Sequence, residues 1–187
     1  MALQQVLHQL ELATSGQGFT RLDRRINQWL RGTGLWQGML HLTCLHTSCS
    51  LTINENADPR VLEDLADWMA YIVPEARPYS HADEGADDMP AHIRTALTAQ
   101  TLSLSVDAGQ LVLGTWQAVY LWEHRRRPHQ RRVLCHLLGE PTPLEAKSKL
   151  LNQQIQARHD PEAWAADGGI ETEVDLMVDQ LHELADT

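Results

Sequence analysis

The stretch from His46 to Pro59 constrains the fold of this chain more than any other segment. It reads H-T-S-C-S-L-T-I-N-E-N-A-D-P. Leu51 and Ile53 alternate with polar residues, which is typical of a half-buried strand. The polar second half ends in Asp58 and Pro59, a helix N-cap followed by a proline in the first turn. The stretch predicts a strand, a turn and a helix, which either carry a functional site on a rigid frame or have no chemical role.

The rest of the chain alternates between strand-like and helix-like segments. Thr20 and Asp23 resemble a capping box that begins a helix, and Gly32 and Gly34 end it. Residues 74–90 form a long polar loop, and loops of this length are often functional. Further strands are predicted at about residues 2–13, 36–45, 101–106, 111–113, 118–122 and 133–138, and helices at about 20–31, 59–73 and 90–97.

Charge is distributed unevenly along the 187 residues. Residues 159–187 contain nine acidic residues and no Lys or Arg, whereas residues 1–158 contain sixteen acidic and fifteen basic residues. The net charge of −10 therefore belongs to the tail. A body that is nearly neutral argues against a nucleic-acid-binding protein, which would be basic. The length suits one domain with an appendage.

Three features bear on the cellular compartment. No stretch approaches the roughly 18 apolar residues of a membrane span, and the N-terminus lacks the basic segment of a secretion signal. The three cysteines are odd in number and contain no CxxC pair. This usage favours a reducing cytoplasm over a disulfide scaffold.

Three of the ten histidines occupy suggestive positions. His46 ends a strand, His81 lies in the polar loop, and His92 begins a helix. Imidazole and carboxylate together suit zinc, iron or manganese. No HExxH-type spacing is present, so exposed polar histidines without a metal remain the alternative. The neighbouring carboxylates are Glu55, Asp83, Glu84, Asp87 and Asp88.

Arginines and a tryptophan add two further candidates. The segment from Arg125 to Arg132 contains five arginines, whose guanidinium groups suit phosphate, although a solvated hairpin tip has the same composition. Strand alternation allows only one of Arg131 and Arg132 to face a site. Trp116 follows a Gly-Thr pair and is either a core residue or a stacking surface for a planar ligand.

Three longer motifs, in this order and spacing, resemble the YjbQ-like family, also known as the secondary thiamine-phosphate synthase family. They are the stretch above, H-A-D-E-G-A-D-D-M-P-A-H-I, and L-V-L-G-T-W-Q-A-V-Y-L-W-E-H-R. The resemblance covers residues 1–140 and leaves 141–187 as an acidic helical extension. One departure is Cys49, where the family usually has a small alanine.

The resemblance implies an α+β fold, with one compact domain, a largely antiparallel β-sheet and flanking helices. It also implies a homotrimer with a pocket near the subunit interface. We expect His46, His81 and His92 to bind a divalent metal ion, zinc, with magnesium as the alternative for a diphosphate substrate. The other expected site residues are Glu55, Asn54, Asp88 and Glu123 as catalytic residues, and Trp116, Gln117 and Arg132 as substrate-binding residues.

The activity implied by the resemblance joins an aminopyrimidine diphosphate to a thiazole phosphate and releases pyrophosphate. A divalent metal and an arginine would stabilise the departing phosphates. The same residues also suit metal-dependent hydrolysis of a phosphorylated metabolite, or a ligand-binding trimer without catalysis. We expect no nucleic-acid or membrane partner.

The tail predicts two helices, from Leu144 to about Arg158 and from about Ile170 to Ala185. The second has a heptad-like seam, and a helix this short must pack on something to be stable in water. We expect it to dock on the oligomer, and a disordered acidic tail is the alternative. The seam consists of Ile170, Val174, Met177, Leu181 and Leu184.

Overall fold

The computed structural model describes residues 3–143. The α+β fold predicted from the sequence is confirmed, and residues 3–143 contain mainly strands, with three helices. The tail helices and their docking lie outside the described residues. The elements are β1 (Gln4–Thr14), β2 (Gly18–Arg21), α1 (Asp23–Thr33), β3 (Leu35–Cys44), β4 (Cys49–Glu55), α2 (Pro59–Ile72), α3 (Asp88–Leu97), β5 (Thr101–Asp107), β6 (Gln110–Leu111), β7 (Gln117–Glu123) and β8 (His129–Pro141).

Two antiparallel sheets make up the body. The larger sheet has the order β1-β8-β3-β5-β6, and the smaller one has the order β2-β7-β4. The main core consists of apolar side chains, mostly leucines, from both sheets and from α1. Examples are Leu40, Leu121 and Ile26. The larger sheet therefore has one buried face, which explains the alternation along β1, whereas six of the seven residues of β7 in the smaller sheet are buried.

The helix after the central stretch is formed as predicted. Asp58 accepts a hydrogen bond from the backbone N–H of Arg60 at 2.9 Å, and Pro59 is the first helical residue of α2. Pro59 fits there because the first helical N–H has no partner within the helix. The helix ends at Ile72, shortly before Pro74. Because α2 follows β4 so closely, it fixes the far end of that strand.

The first helix begins differently from the prediction. Thr20 lies within β2, and α1 starts at Asp23 without a side-chain cap. The carboxylate of Asp23 instead accepts hydrogen bonds from Arg21, so the capping-box prediction is wrong. The backbone hydrogen bonds of β2 are made by pairing with β7, and such long-range pairing has no signal in the local sequence. Of the two glycines predicted to end the helix, Gly34 does so, with a positive φ of 73°, whereas Gly32 lies within α1.

Two connections bring three elements together at one end of the smaller sheet. Residues 45–48 lead from β3 in the larger sheet to β4 in the smaller one, and residues 124–128 lead from β7 to β8. The backbone N–H of His124 donates to the carbonyl of Ser48 at 3.3 Å. Helix α3 begins beside both connections, at Asp88 rather than at the predicted Pro90. Among the described helices, none is long and apolar enough to cross a membrane.

Candidate metal centre

His81, Asp88 and His92 form a compact group where the polar loop meets α3. Each offers one ligand atom, and the three atoms lie within 4.8 Å of one another. Nε2 of His81 is 2.8 Å from Oδ2 of Asp88, and Nε2 of His92 is 3.4 Å from the same oxygen. Asp88 and His92 are four residues apart on α3, so one helical turn places both on the same face. The histidines are partly exposed, whereas Asp88 is buried.

A backbone contact fixes the tautomer of His92. Its Nδ1 lies 3.0 Å from the carbonyl oxygen of Thr47. A carbonyl only accepts hydrogen bonds, so Nδ1 must carry a hydrogen. In the neutral ring, Nε2 therefore presents a lone pair to the acceptor oxygen of Asp88. Two acceptors facing each other require a cation between them or a proton on the imidazole.

Arg125 holds the other side of the Asp88 carboxylate. Its Nη1 contacts Oδ1 of Asp88, and its Nε donates to Asp87 at 3.1 Å. The third guanidinium nitrogen, Nη2, donates to the carbonyl of Glu84 at 2.9 Å. Arg125 thus joins the polar loop, the start of α3 and the end of β7. With Oδ1 engaged in this way, Oδ2 is the oxygen directed at the histidines.

Asp87 stays ionised beside this group. Burial by itself would raise the pKa of its carboxyl, but the backbone N–H of Arg126 and the charge of Arg125 outweigh that effect and lower the pKa. The N–H of Arg126 donates to Asp87 at 2.9 Å. A cavity of about 370 Å³ borders these residues, lined by Asp83, Glu84, Gly85, Asp87, Arg125 and Arg127. Its volume suits a small metabolite.

His46 is not a member of the group. Its Nε2 accepts a hydrogen bond from the backbone N–H of Arg132 at 2.8 Å. Burial, followed by the charges of Arg131 and Arg132, lowers the pKa of this imidazole, which favours the neutral acceptor form. Asp88, expected as a catalytic residue, is the third member of the group of possible ligands. The metal-binding role of His46 stays a prediction.

The two arginines left open by the sequence have different environments. Arg131 points inward, and its guanidinium binds the carboxylate of Glu123 and the hydroxyl of Ser48. The side chain of Arg132 is exposed. Strand alternation in β8 explains this division. Glu123, expected to be catalytic, is buried and accepts four hydrogen bonds from three residues. Its role and that of Arg132 stay predictions.

The remaining expected residues lie at the opposite end of the smaller sheet. Asn54 and Glu55 end β4, and Glu55 pairs with Gln117 at the start of β7. Trp116 precedes this pair and is 66% exposed. At about 3.3 Å per residue, the six steps from Cys49 to Glu55 span about 20 Å. Because His92 contacts Thr47, just before the start of β4, and Glu55 ends this strand, the two groups lie near opposite ends of β4 in this chain.

Local contacts occupy part of this second group. Oδ1 of Asn54 accepts from the N–H of Glu55 at 2.8 Å, and Oε1 of Gln117 accepts from the N–H of Gly114 at 2.9 Å. The carbonyl of Glu55 accepts from the hydroxyl of Tyr120 at 3.0 Å. Trp116 and Gln117 are exposed, whereas Asn54 and Glu55 are half-buried. The chemical roles of these four residues stay predictions.

Sequence reasoning missed Arg125 and Thr47 as parts of the centre. Arg125 was counted with the arginines of a hairpin tip, although it ends the motif W-E-H-R. Thr47 contributes a backbone carbonyl, which leaves no signature in residue type. Only the pairing of β4 with β7 places both residues beside α3.

Comparison with known proteins assigns the chain to a family. Residues 8–140 match the family model described as UPF0047 protein YjbQ-like. A UPF0047 protein of Synechocystis is 49% identical over 132 residues, which cover 70% of this chain and 90% of the relative. The UPF0047 protein YjbQ of Escherichia coli O157:H7 is 41% identical, with 70% and 96% covered.

Solved structures agree with this assignment. A YjbQ/UPF0047 family protein from Clostridium acetobutylicum superposes with a TM-score of 0.64 at 30% identity, covering 70% of this chain and 98% of that protein. A YbjQ-like protein from Sulfolobus solfataricus superposes with a TM-score of 0.67 at 21% identity, covering 74% and 100%, which bears on the fold alone. The model match and the identities together show that this chain belongs to the YjbQ-like (UPF0047) family.

Proposed function

We propose that His81, Asp88 and His92 bind one divalent metal ion, zinc, in an enzyme that acts on a phosphorylated small molecule. The observation that carries the proposal is the arrangement of His92 and Asp88. Because the carbonyl of Thr47 holds the hydrogen on Nδ1 of His92, the Nε2 lone pair and the Asp88 carboxylate face each other. A cation would turn this repulsion into coordination.

The donor set favours zinc over harder ions. Two imidazoles and one carboxylate suit zinc, whereas magnesium prefers oxygen ligands. Three protein ligands also leave one position of a tetrahedral ion open, as catalytic zinc sites require. Arg125 supports this use because it orients the carboxylate from the side that faces away from the histidines. Magnesium remains the alternative if it enters together with a diphosphate substrate.

The leading reaction is the one that the family resemblance implies, condensation of an aminopyrimidine diphosphate with a thiazole phosphate. The metal would supply charge stabilisation for the departing diphosphate. Arg132 is exposed and free to approach a phosphate, and Trp116 offers a ring face for a pyrimidine. Glu55 is the candidate base. For these roles to serve one reaction, residues at both ends of the smaller sheet must contact the same substrate.

A homotrimer would meet that requirement by bringing the Glu55 end of one subunit to the His92 end of its neighbour. The outer face of the larger sheet supports association, since it exposes apolar side chains on three adjacent strands. Met39 on β3 pairs directly with Leu138 on β8, and Leu7 on β1 lies diagonally beside them. All three are more than one-third exposed in the isolated chain. Exposed apolar patches of this kind mark interaction sites.

A second candidate is metal-dependent hydrolysis of a phosphorylated metabolite in the cytoplasm. The cavity beside the proposed metal centre supports it, because a whole small substrate would fit there without the Glu55 group. A trimer that binds its ligand without turnover is the third candidate. The three candidates share the metal centre and differ in what they do with the substrate.

Metal analysis tests the centre first. Purified full-length protein should retain close to one zinc per chain, and His92→Ala should lose it. The matched control is His41→Ala, because His41 is an exposed histidine on β3 in the larger sheet, outside the proposed centre. Equal zinc content in the wild type and His92→Ala would disprove the centre.

A substrate assay then separates the reactions. Thiamine phosphate formed from the two precursors, and lost in Glu55→Ala, would support the synthase. Phosphate release from simple phosphoesters without condensation would support the hydrolase. A ligand-induced rise in melting temperature without turnover would support the binding protein.

A further inference from the structure

Two cysteine thiols face each other where the chain passes from one sheet to the other. Sγ of Cys44, at the end of β3, lies 3.3 Å from Sγ of Cys49, at the start of β4. Cys44 is 5% exposed and Cys49 is fully buried. The third cysteine, Cys135, is also a buried free thiol, on β8. The first two thiols therefore form a pair, and the third provides an internal reference.

Each of the four residues between the two thiols is hydrogen-bonded to another part of the chain, and Thr47 bonds to His92 of the proposed metal centre. The N–H of Leu45 donates to the carbonyl of Arg132 at 3.1 Å, and His46 accepts from the N–H of Arg132. The carbonyl of Thr47 accepts from His92. Ser48 accepts hydrogen bonds from Arg131 and from the backbone of His124. We name residues 45–48 the platform loop.

We propose that Cys44 and Cys49 form a reversible disulfide that fastens the platform loop when a peroxide reaches it. Bonding requires the sulfur separation to shorten from 3.3 Å to about 2.05 Å. That is a small movement for two side chains at strand ends.

The chemistry balances with hydrogen peroxide as the oxidant. The sulfur of Cys44, the more exposed of the two, attacks the peroxide oxygen as a thiolate, which breaks the O–O bond and gives a sulfenic acid and water. The sulfur of Cys49 then attacks the sulfenic sulfur, forms the S–S bond and expels a second water. Both thiol protons leave in these waters, and two electrons pass from the sulfurs to the peroxide. A thiol reductant reverses the bond by exchange.

The disulfide would close a ring that contains the whole platform loop. The two ends of the platform loop would then be joined by the disulfide as well as held by β3 and β4 on either side. Any consequence for zinc binding through Thr47 and His92 rests on the proposed function, whereas the bond and the stiffening of the loop do not. In a reducing compartment a disulfide of this kind is transient and serves redox sensing.

The test uses full-length protein that has been reduced, freed of metal by a chelator and treated with a small excess of hydrogen peroxide. Differential alkylation and peptide mapping should find Cys44 joined to Cys49 within one chain, with a mass loss of two hydrogen atoms. Dithiothreitol should restore both thiols, and Cys135 should stay a free thiol. A sulfinic acid, a bond to Cys135, or a bond between chains as the main product would overturn the proposal.

Three variants sharpen the mapping. Cys135→Ala should form the same disulfide, whereas Cys49→Ala should form none and should accumulate oxidised Cys44. Cys49→Ser keeps nearly the same side-chain volume, so it replaces Cys49→Ala if that variant fails to fold. An unchanged mass shift in either Cys49 variant would overturn the assignment.

Amide hydrogen exchange tests the fastening of the loop. Oxidation of the metal-free wild type should slow exchange at residues 45–48 several-fold, and reduction should restore the original rate. Cys49→Ser should show no change with peroxide. A disulfide that leaves these exchange rates unchanged would overturn the loop-fastening part of the proposal. Because no metal is present, this result is independent of the proposed metal centre.

Discussion

Glu123 and Arg131 form a buried bidentate ion pair that joins β7 to β8. Nε of Arg131 donates to Oε2 of Glu123 at 2.6 Å, and Nη2 donates to Oε1 at 2.5 Å. The two residues are 1% and 4% exposed. The hydroxyl of Thr14 and the N–H of Arg125 also donate to the carboxylate, at 2.8 and 3.0 Å. Burial alone would raise the pKa of Glu123, but these donors, led by Arg131, lower it.

The first prediction concerns the removal of this charge. Glu123→Gln should lower the free energy of unfolding by about 3 kcal/mol, because breaking a buried pair leaves the remaining ion uncompensated. Denaturant titration at neutral pH measures the loss. Arg60→Gln is the control, since it breaks the surface Asp58–Arg60 pair and should leave the midpoint unchanged.

The same variant addresses the role expected for Glu123. If the residue is structural, Glu123→Gln assayed well below its melting temperature should keep most of the wild-type turnover. A stable variant without turnover would instead support a catalytic role. A variant as stable as the wild type would contradict the ion-pair argument.

Local patterns in the sequence were sufficient for most of the fold. The alternation of Leu51 and Ile53, the cap at Asp58 and the glycine at Gly34 each act within a few residues, so each was predicted correctly. The capping box at Thr20 failed because pairing with β7 determines the conformation of that segment. Such long-range pairing has no local signature.

The candidate metal centre was predictable only in part for the same reason. His81 and His92 were identified from residue type and motif, and Asp88 was named with a different role. The backbone carbonyl of Thr47 and the contact of Arg125 with α3 depend on how two connections meet in space. The separation of Glu55 from His92 follows from strand length and register, which the motif order does not reveal.

The second prediction concerns pH and the buried His124. Burial, aided by the charge of Arg94, lowers the pKa of this imidazole from 6.5 to about 3. The unfolded chain therefore binds a proton near pH 6.5 that the folded chain does not bind until near pH 3. Stability should fall as pH falls through that window, by about 2 kcal/mol between pH 7 and pH 5 from this residue.

His124→Gln should remove this part of the pH dependence, since glutamine does not titrate and can keep a hydrogen bond to the hydroxyl of Ser50. Denaturant titration at pH 7 and pH 5 gives the comparison. The control is His41→Gln, at an exposed histidine, which should keep the wild-type dependence. If the wild type and His124→Gln lose the same stability between pH 7 and pH 5, His124 is not the source of the pH dependence.

The third prediction concerns Arg125 as a positioning residue for the proposed metal centre. Arg125→Ala frees the Asp88 carboxylate to rotate, so zinc affinity should fall about 10- to 100-fold, as for other residues that orient metal ligands. Competition with a chromophoric chelator measures the affinity. Arg127→Ala removes an equal charge from an exposed residue two positions away and should change the affinity little.

Arg125→Lys refines this test. Lysine keeps the positive charge but cannot contact Asp87, Asp88 and the carbonyl of Glu84 together. Zinc affinity between the values for alanine and the wild type would assign part of the effect to charge and part to orientation. An equal loss of zinc affinity in Arg125→Ala and Arg127→Ala would show that the effect comes from positive charge near the site and not from the positioning of Asp88.

The fourth prediction follows from the distance of about 20 Å along β4 between the two groups of expected site residues. If the Glu55 group of one subunit serves the His92 group of another, two inactive variants should restore activity when mixed. Glu55→Ala and His92→Ala, unfolded together in equal amounts and refolded, should form mixed trimers. About one site in four would then combine two intact groups, by random assembly of a cyclic trimer.

Thiamine phosphate formation in the mixture should therefore reach about a quarter of the wild-type rate, if both variants are inactive alone. Native mass spectrometry confirms the mixed assemblies through the mass difference between the variants. Each variant refolded alone is the control for residual activity. Mixed trimers that recover no activity would show that no active site combines the Glu55 group of one subunit with the His92 group of another.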